Sequence, residues 1–107
     1  MPITPSPFTT PVADTDTPFN KTLALAGTEE QLVAVPGGKK GRIISLVNDG
    51  PGTVGIAFDQ AATVASLNIK AGEGYSEAAL QVNTDVRFIN VTAAQTPTVR
   101  GVLWSGN

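Results

Sequence analysis

Histidine and cysteine are both absent from the 107 residues. The commonest general base, the commonest transition-metal ligand and every thiolate nucleophile are therefore missing. Nucleophilic chemistry would need a Ser–Lys or carboxylate-based scheme. Ser45 stands inside the apolar run Ile43 to Val47 with no nucleophile motif around it, and reads as a buried, hydrogen-bonded serine. Asp59 and Glu73 sit at turn edges. Brought together, they would form the carboxylate pair that glycoside hydrolysis uses, although 1 Tyr and 1 Trp offer little aromatic floor for a sugar. Asp14-Thr15-Asp16 opens like an oxygen-ligand loop but lacks the glycine and terminal glutamate of an EF-hand. Asn48-Asp49-Gly50 offers oxygens for calcium, yet turn formation accounts for all three residues. Lys70, Glu73 and Glu77 can pair across a loop, which stabilises little. The expectation is a non-enzyme with no catalytic residue, no metal and no cofactor.

Charge narrows the partners. Lys and Arg number 7 against 9 Asp and Glu, giving a net charge of −2. Lys39, Lys40 and Arg42 are the one basic cluster and read as a solvated turn, so nucleic-acid binding, which needs a concentrated basic surface, is not expected. Charged residues are 15% of the chain, low against the usual ~25%. A surface this neutral suggests that part of it is covered in use. No apolar run approaches the ~18 residues that a membrane helix needs, and Met1 to Phe8 does not read as a signal peptide, having neither a basic residue nor an apolar stretch.

The elements around these residues read as strands. Residues 42–59 divide into an apolar run (Ile43 to Val47, with both faces expected to be covered), a turn (Asn48 to Gly52) and an alternating run in which Val54, Ile56 and Phe58 share one face. The spacing predicts a central hairpin. Further strands are predicted over 22–26, 31–35, 64–69, 86–91 and 99–104, with 76–82 extended. The apolar phase slips between Phe88 and Ile89, which calls for a bulge or for burial of both faces. Trp104 is expected to seal the core. The fold class is all-β: a small antiparallel β-sandwich or jelly-roll-like barrel of about eight short strands.

Residues 1–20 differ from the rest. They hold Pro2, Pro5, Pro7, Pro11 and Pro18, which block helix and deny ladder donors, so an extended arm is expected, with the β-sandwich domain over 21–107. Ile3, Phe8, Val12 and Phe19 are spaced through the arm and are the candidate partner-binding residues. Docking on another chain, folding back on the domain and plain disorder are the three readings of the arm.

From Gly41 onward the chain resembles small β-sandwich virion structural proteins of tailed bacteriophages. The resemblance is carried by VNDGPGTVGIAFD, ASLNIKAGEGYSE and VRFINVTAAQTPTVRGVLW, and within them by Asn48, Gly50, Phe58, Gly72, Glu73 and Trp104, whose implied role is structural. It is closest to head decoration (cement) proteins. The resemblance implies a virion protein made in the host cytoplasm and placed on the capsid surface, a major capsid protein as partner, and a homo-oligomer, with a trimer favoured. A tail, connector or fibre-anchoring position is the alternative within the virion. A glycan- or host-surface-binding module is the alternative outside that class.

Overall fold

The computed structural model describes residues 13–106, and among them every regular element is a strand. In chain order these are β1 (Thr15–Thr22), β2 (Glu29–Ala34), β3 (Lys40–Gly50), β4 (Val54–Phe58), β5 (Leu67–Ile69), β6 (Gly74–Glu77), β7 (Asp85–Asn90) and β8 (Thr98–Gly106). They form two four-stranded antiparallel sheets, ordered β1-β8-β3-β6 and β2-β7-β4-β5. The pairs β1·β8, β2·β7, β3·β6 and β4·β5 nest inside one another, as in a long ribbon folded at the β4–β5 loop. Rolling that ribbon joins β8 to β3 and β7 to β4. The fold is a β-sandwich with jelly-roll topology.

The core lies between the sheets. Alternation sends Ile44 and Leu46 of β3, Val99 and Leu103 of β8, and Val86 and Phe88 of β7 inward, each at most 5% exposed. Phe88 is fully buried, and its ring meets that of Phe19 at 5.6 Å between centroids, tilted by 34°. Burying one phenylalanine stabilises by about 1.5–3 kcal/mol, and a tilted ring pair adds about 0.5–1.5 kcal/mol.

Four sequence expectations change here. The central segment is not a hairpin: β3 and β4 belong to opposite sheets, so the Asn48–Gly52 turn arches across the sandwich. Asn48 makes the arch possible. Its Nδ2 donates to the Gly52 and Ile69 carbonyls (2.9 and 2.8 Å), and its Oδ1 accepts from the Gly50 amide (2.7 Å). The second change is at the start of the domain. The predicted strand over 22–26 gives way to β1 over Thr15–Thr22, where Thr15, Thr17, Phe19 and Lys21 occupy one face. The boundary expected at residue 20 therefore falls inside a strand. Third, Phe19 is not an arm contact: it is 8% exposed in the chain's own core. Fourth, Trp104 does not seal the core, because Leu103 and Ser105 beside it point inward and it points out.

The phase slip in β7 has a two-part cause. Phe88 and Ile89 are both buried, one between the sheets and the other on the outer surface of the second sheet. The bulge is in β2, between Glu29 and Gln31, facing that slip.

The two ends of the sandwich are held by polar side chains. Asn90 repeats the Asn48 arrangement, donating to the Leu23 and Gln95 carbonyls and accepting from the Thr92 amide. At the other end Asp59, with φ 58°, accepts from the Asn83, Thr84 and Asp85 amides and from the Thr84 hydroxyl. Desolvation opposes ionisation of Asp59, but these donors outweigh it and hold the carboxyl below its ordinary value of 3.8. Its stabilising contribution is therefore complete above that value and lost as pH falls through the depressed one. An acid titration of unfolding is expected to show a shallower loss of stability for Asp59→Asn than for the parent chain. Parallel acid limbs would deny Asp59 this role.

Candidate functional site

Residues named for chemistry are not brought together. Asp59 follows the last residue of β4, while Glu73 lies at the other end of that strand, where its carbonyl accepts from the Asn48 amide. Five residues of strand put them on the order of 15 Å apart, outside the ~5–9.5 Å of a glycosidase pair. Glu73 instead accepts from the Lys70 amide, and Glu77 from the Ala78 and Ala79 amides. Asn48 spends its polar atoms on the arch. Asp14 is bound by the Thr15 hydroxyl (3.1 Å) and by Lys39 Nζ (2.9 Å), and these, the Lys39 contact foremost, lower its pKa. Among the described residues no cluster of three or more potential ligands is placed to hold a metal ion. Ile3, Phe8 and Val12 lie outside the described residues.

What the strands do assemble is a surface. The outer side of the first sheet carries three cross-strand rows: Asp16–Trp104–Ile43, Pro18–Val102–Ser45 and Asn20–Arg100–Val47. Ser45 is thus exposed, not buried; it accepts from the Ser76 hydroxyl at 3.1 Å. Its small side chain among Val47, Val102 and Trp104 leaves a shallow hollow of about 260 Å³. Five apolar residues face outward: Pro18, Ile43, Val47, Val102 and Trp104. Polar groups rim them, including Asp16, Asn20 and the Arg100–Asp49 ion pair (2.6 Å). At ~4.8 Å between strands and ~3.3 Å per residue, the patch covers roughly 300 Å². An apolar centre inside a polar rim is the anatomy of an interaction surface.

The other outer surface is covered in part by the chain itself, with Leu32 of β2 left 44% exposed and Val64 of the covering loop 51% exposed. The β4–β5 loop lies over the second sheet, where Ala62 packs with Ala57, Ile89 and Val91. Glu29 holds the loop by accepting from the Ala62 amide and is itself paired with Arg87 (3.2 Å), which also pairs with Asp85. Gly55 lets the loop come close: a Cβ there would stand 2.8 Å from Ile89 Cγ2 and 3.2 Å from the Thr63 carbonyl.

The four sheet edges are blunted as well. β1 carries Pro18, β2 is bulged, β5 has 3 residues and β6 has 4. Each feature discourages strand addition. The contiguous cross-strand rows make the outer face of the first sheet the candidate site. Sequence reading missed it because Trp104 and Ile43 look like core residues until β8 and β3 are placed side by side. The signal available was the alternation in Val99 to Trp104, whose phase puts Val102 and Trp104 on the same side as Arg100. No family model matches the chain, and none of the curated proteins compared with it is similar to it.

Proposed function

We propose that this chain is a structural protein of a tailed-phage virion, a decoration protein that stabilises the head by bridging capsid subunits. The observation that carries the reading is the contiguous apolar face of the first sheet, in a molecule that covers part of its second face with its own loop and blunts its edges. Jelly rolls recur in viral capsid proteins, which raises the prior by fold analogy alone. The sequence resemblance over 41–104 points the same way. Mechanically, the protein would act by multivalency: modest contacts repeated around a symmetric capsid position bind tightly through effective concentration.

Sedimentation with expanded, undecorated phage heads tests this. Saturable co-sedimentation of the full chain is expected, at a ratio set by the symmetry of the lattice position. Phe8→Ser is expected to weaken binding about tenfold or more if arm contacts supply the avidity. A chain that never pellets with heads sinks the reading.

One observation favours a second reading. Trp104 lines the shallow hollow beside Ser45 and Arg100, an arrangement that can stack a sugar ring, and jelly rolls also serve as lectins. Saturable quenching of Trp104 fluorescence by a glycan, with no binding to heads, would replace the first reading by this one.

A further inference from the structure

We infer that the outer face of the first sheet is the receptor for residues 1–12 of a second copy of this chain, so that copies are linked by exchanged arms. The inference deepens the assembly reading above, and names the occupant of the same face.

Area argues against the face acting alone. A patch of roughly 300 Å² is well under the ~800 Å² per partner of a stable complex. Two bare faces packed together would therefore be too small to hold. An arm laid on the face is itself apolar at intervals, and reciprocal exchange buries both a face and an arm on each copy. Ile3, Phe8 and Val12 are separated by five and then four residues, or ~15 and ~12 Å at ~3.1 Å per residue of polyproline II. The patch, ~14 Å across its three strands, accommodates the Phe8 and Val12 anchors together.

Chemistry also matches. Pro2, Pro5 and Pro7 precede Phe8, and proline-rich segments dock on aromatic-lined surfaces because their extended form loses little entropy on binding. Trp104, the 1 Trp of the chain, stands on this face.

Chain direction selects the second copy over the same one. β1 runs from Thr15 toward Thr22, so the residues before Thr15 leave the sheet at its end, beside Ser105. Asp14 is tied there to Lys39. Only Val12 and Ala13 stand between that anchor and Pro11. To lie on its own face the arm would have to double back after leaving that anchor. Continued in line, its twelve residues reach ~37 Å, beyond its own sandwich and onto a neighbour.

The test uses the purified full chain without heads, so that failure of arm exchange is separable from failure of head binding. Sedimentation velocity is run over a range of concentrations, for the parent and for Phe8→Ser, with Trp104 emission recorded in parallel. A synthetic peptide of residues 1–12 serves as competitor. The expected result is a concentration-dependent oligomer that excess peptide returns to monomer. Phe8→Ser should associate at least about tenfold more weakly, with Trp104 emission shifted to the red. Three results overturn the inference. One is a chain that is monomeric throughout, with the same Trp104 emission in both forms. The second is an oligomer that neither Phe8→Ser nor the peptide affects, which would mean face-to-face packing. The third is a monomer whose Trp104 emission changes in Phe8→Ser, which would place the arm on its own face.

Discussion

Gly101→Ala is expected to destabilise the protein by about 3 kcal/mol or more, lowering the unfolding temperature by roughly 12–24 °C for a domain of this size. Gly101 lies at the middle of β8, the strand between β1 and β3, opposite Phe19 on one side and Leu46 on the other. A Cβ at this position would collide with the Ser45 carbonyl oxygen and stand 2.7 Å from the Leu46 Cα. Both are backbone atoms of a central strand, so the collision cannot be relieved by turning a side chain. β3 and β8 would have to part, and the Trp104–Ile43 and Val102–Ser45 rows would part with them. Gly37→Ala is the matched control. That glycine has no atom within 4 Å of an added Cβ, and alanine there is expected to be neutral or slightly stabilising. Thermal and denaturant unfolding of the two variants decide the matter, and equal midpoints would show that β8 tolerates a side chain at position 101.

Asn48→Ala is expected to cost about 3–5 kcal/mol, because up to three backbone groups lose their partner while remaining largely buried, at about 1–3 kcal/mol each. The side chain is fully buried and satisfies all three of its hydrogen bonds within the protein. Two of its partners, the Gly52 and Ile69 carbonyls, belong to the arch and to the second sheet. Loss of Asn48 would thus loosen the arch and the join between the sheets together. Asn83→Ala, at an exposed position, is the reference and should change stability by less than ~0.5 kcal/mol. Denaturant midpoints measure both. A loss below ~1 kcal/mol for Asn48→Ala would mean that water replaces the side chain and that the arch is held by its backbone alone.

The alternation of Val54, Ile56 and Phe58 was enough to read β4 from the sequence, and the β-branched run at 86–91 was enough for β7. Period-two burial is a local property, visible wherever one face is wet or a turn bounds the run. Pairing was not legible. Asn48 to Gly52 has the same turn chemistry whether the chain doubles back beside itself or crosses to the opposite sheet. The choice is made by β8, some fifty residues further on, which takes the place beside β3 that a hairpin would have given to β4. β1 was hidden for a related reason. Pro18 and three threonines look like an arm until Phe19 finds Phe88, a contact between residues far apart in sequence. The candidate face shared this fate, since its rows come from β1, β8 and β3 and no segment contains more than one side of it. Asp59 was noticed for its carboxylate, whereas its use is to gather the amides of residues 83–85.

The nesting of the strand pairs also sets an order of events during synthesis. Thr22 and its partner Thr98 are separated by 76 residues, so at ~5–20 residues per second the ribosome needs about 4–15 s to make the second after the first. Throughout that interval β1 has no neighbour and Phe19 has no shelter. The second sheet lacks β7 for most of the same time. Every row of the candidate face includes a residue of β8, so the face does not exist on a nascent chain, although residues 1–12 have long since emerged. An arm made early therefore finds no receptor on the polysome, and copies still being translated are protected from linking to one another before they are complete.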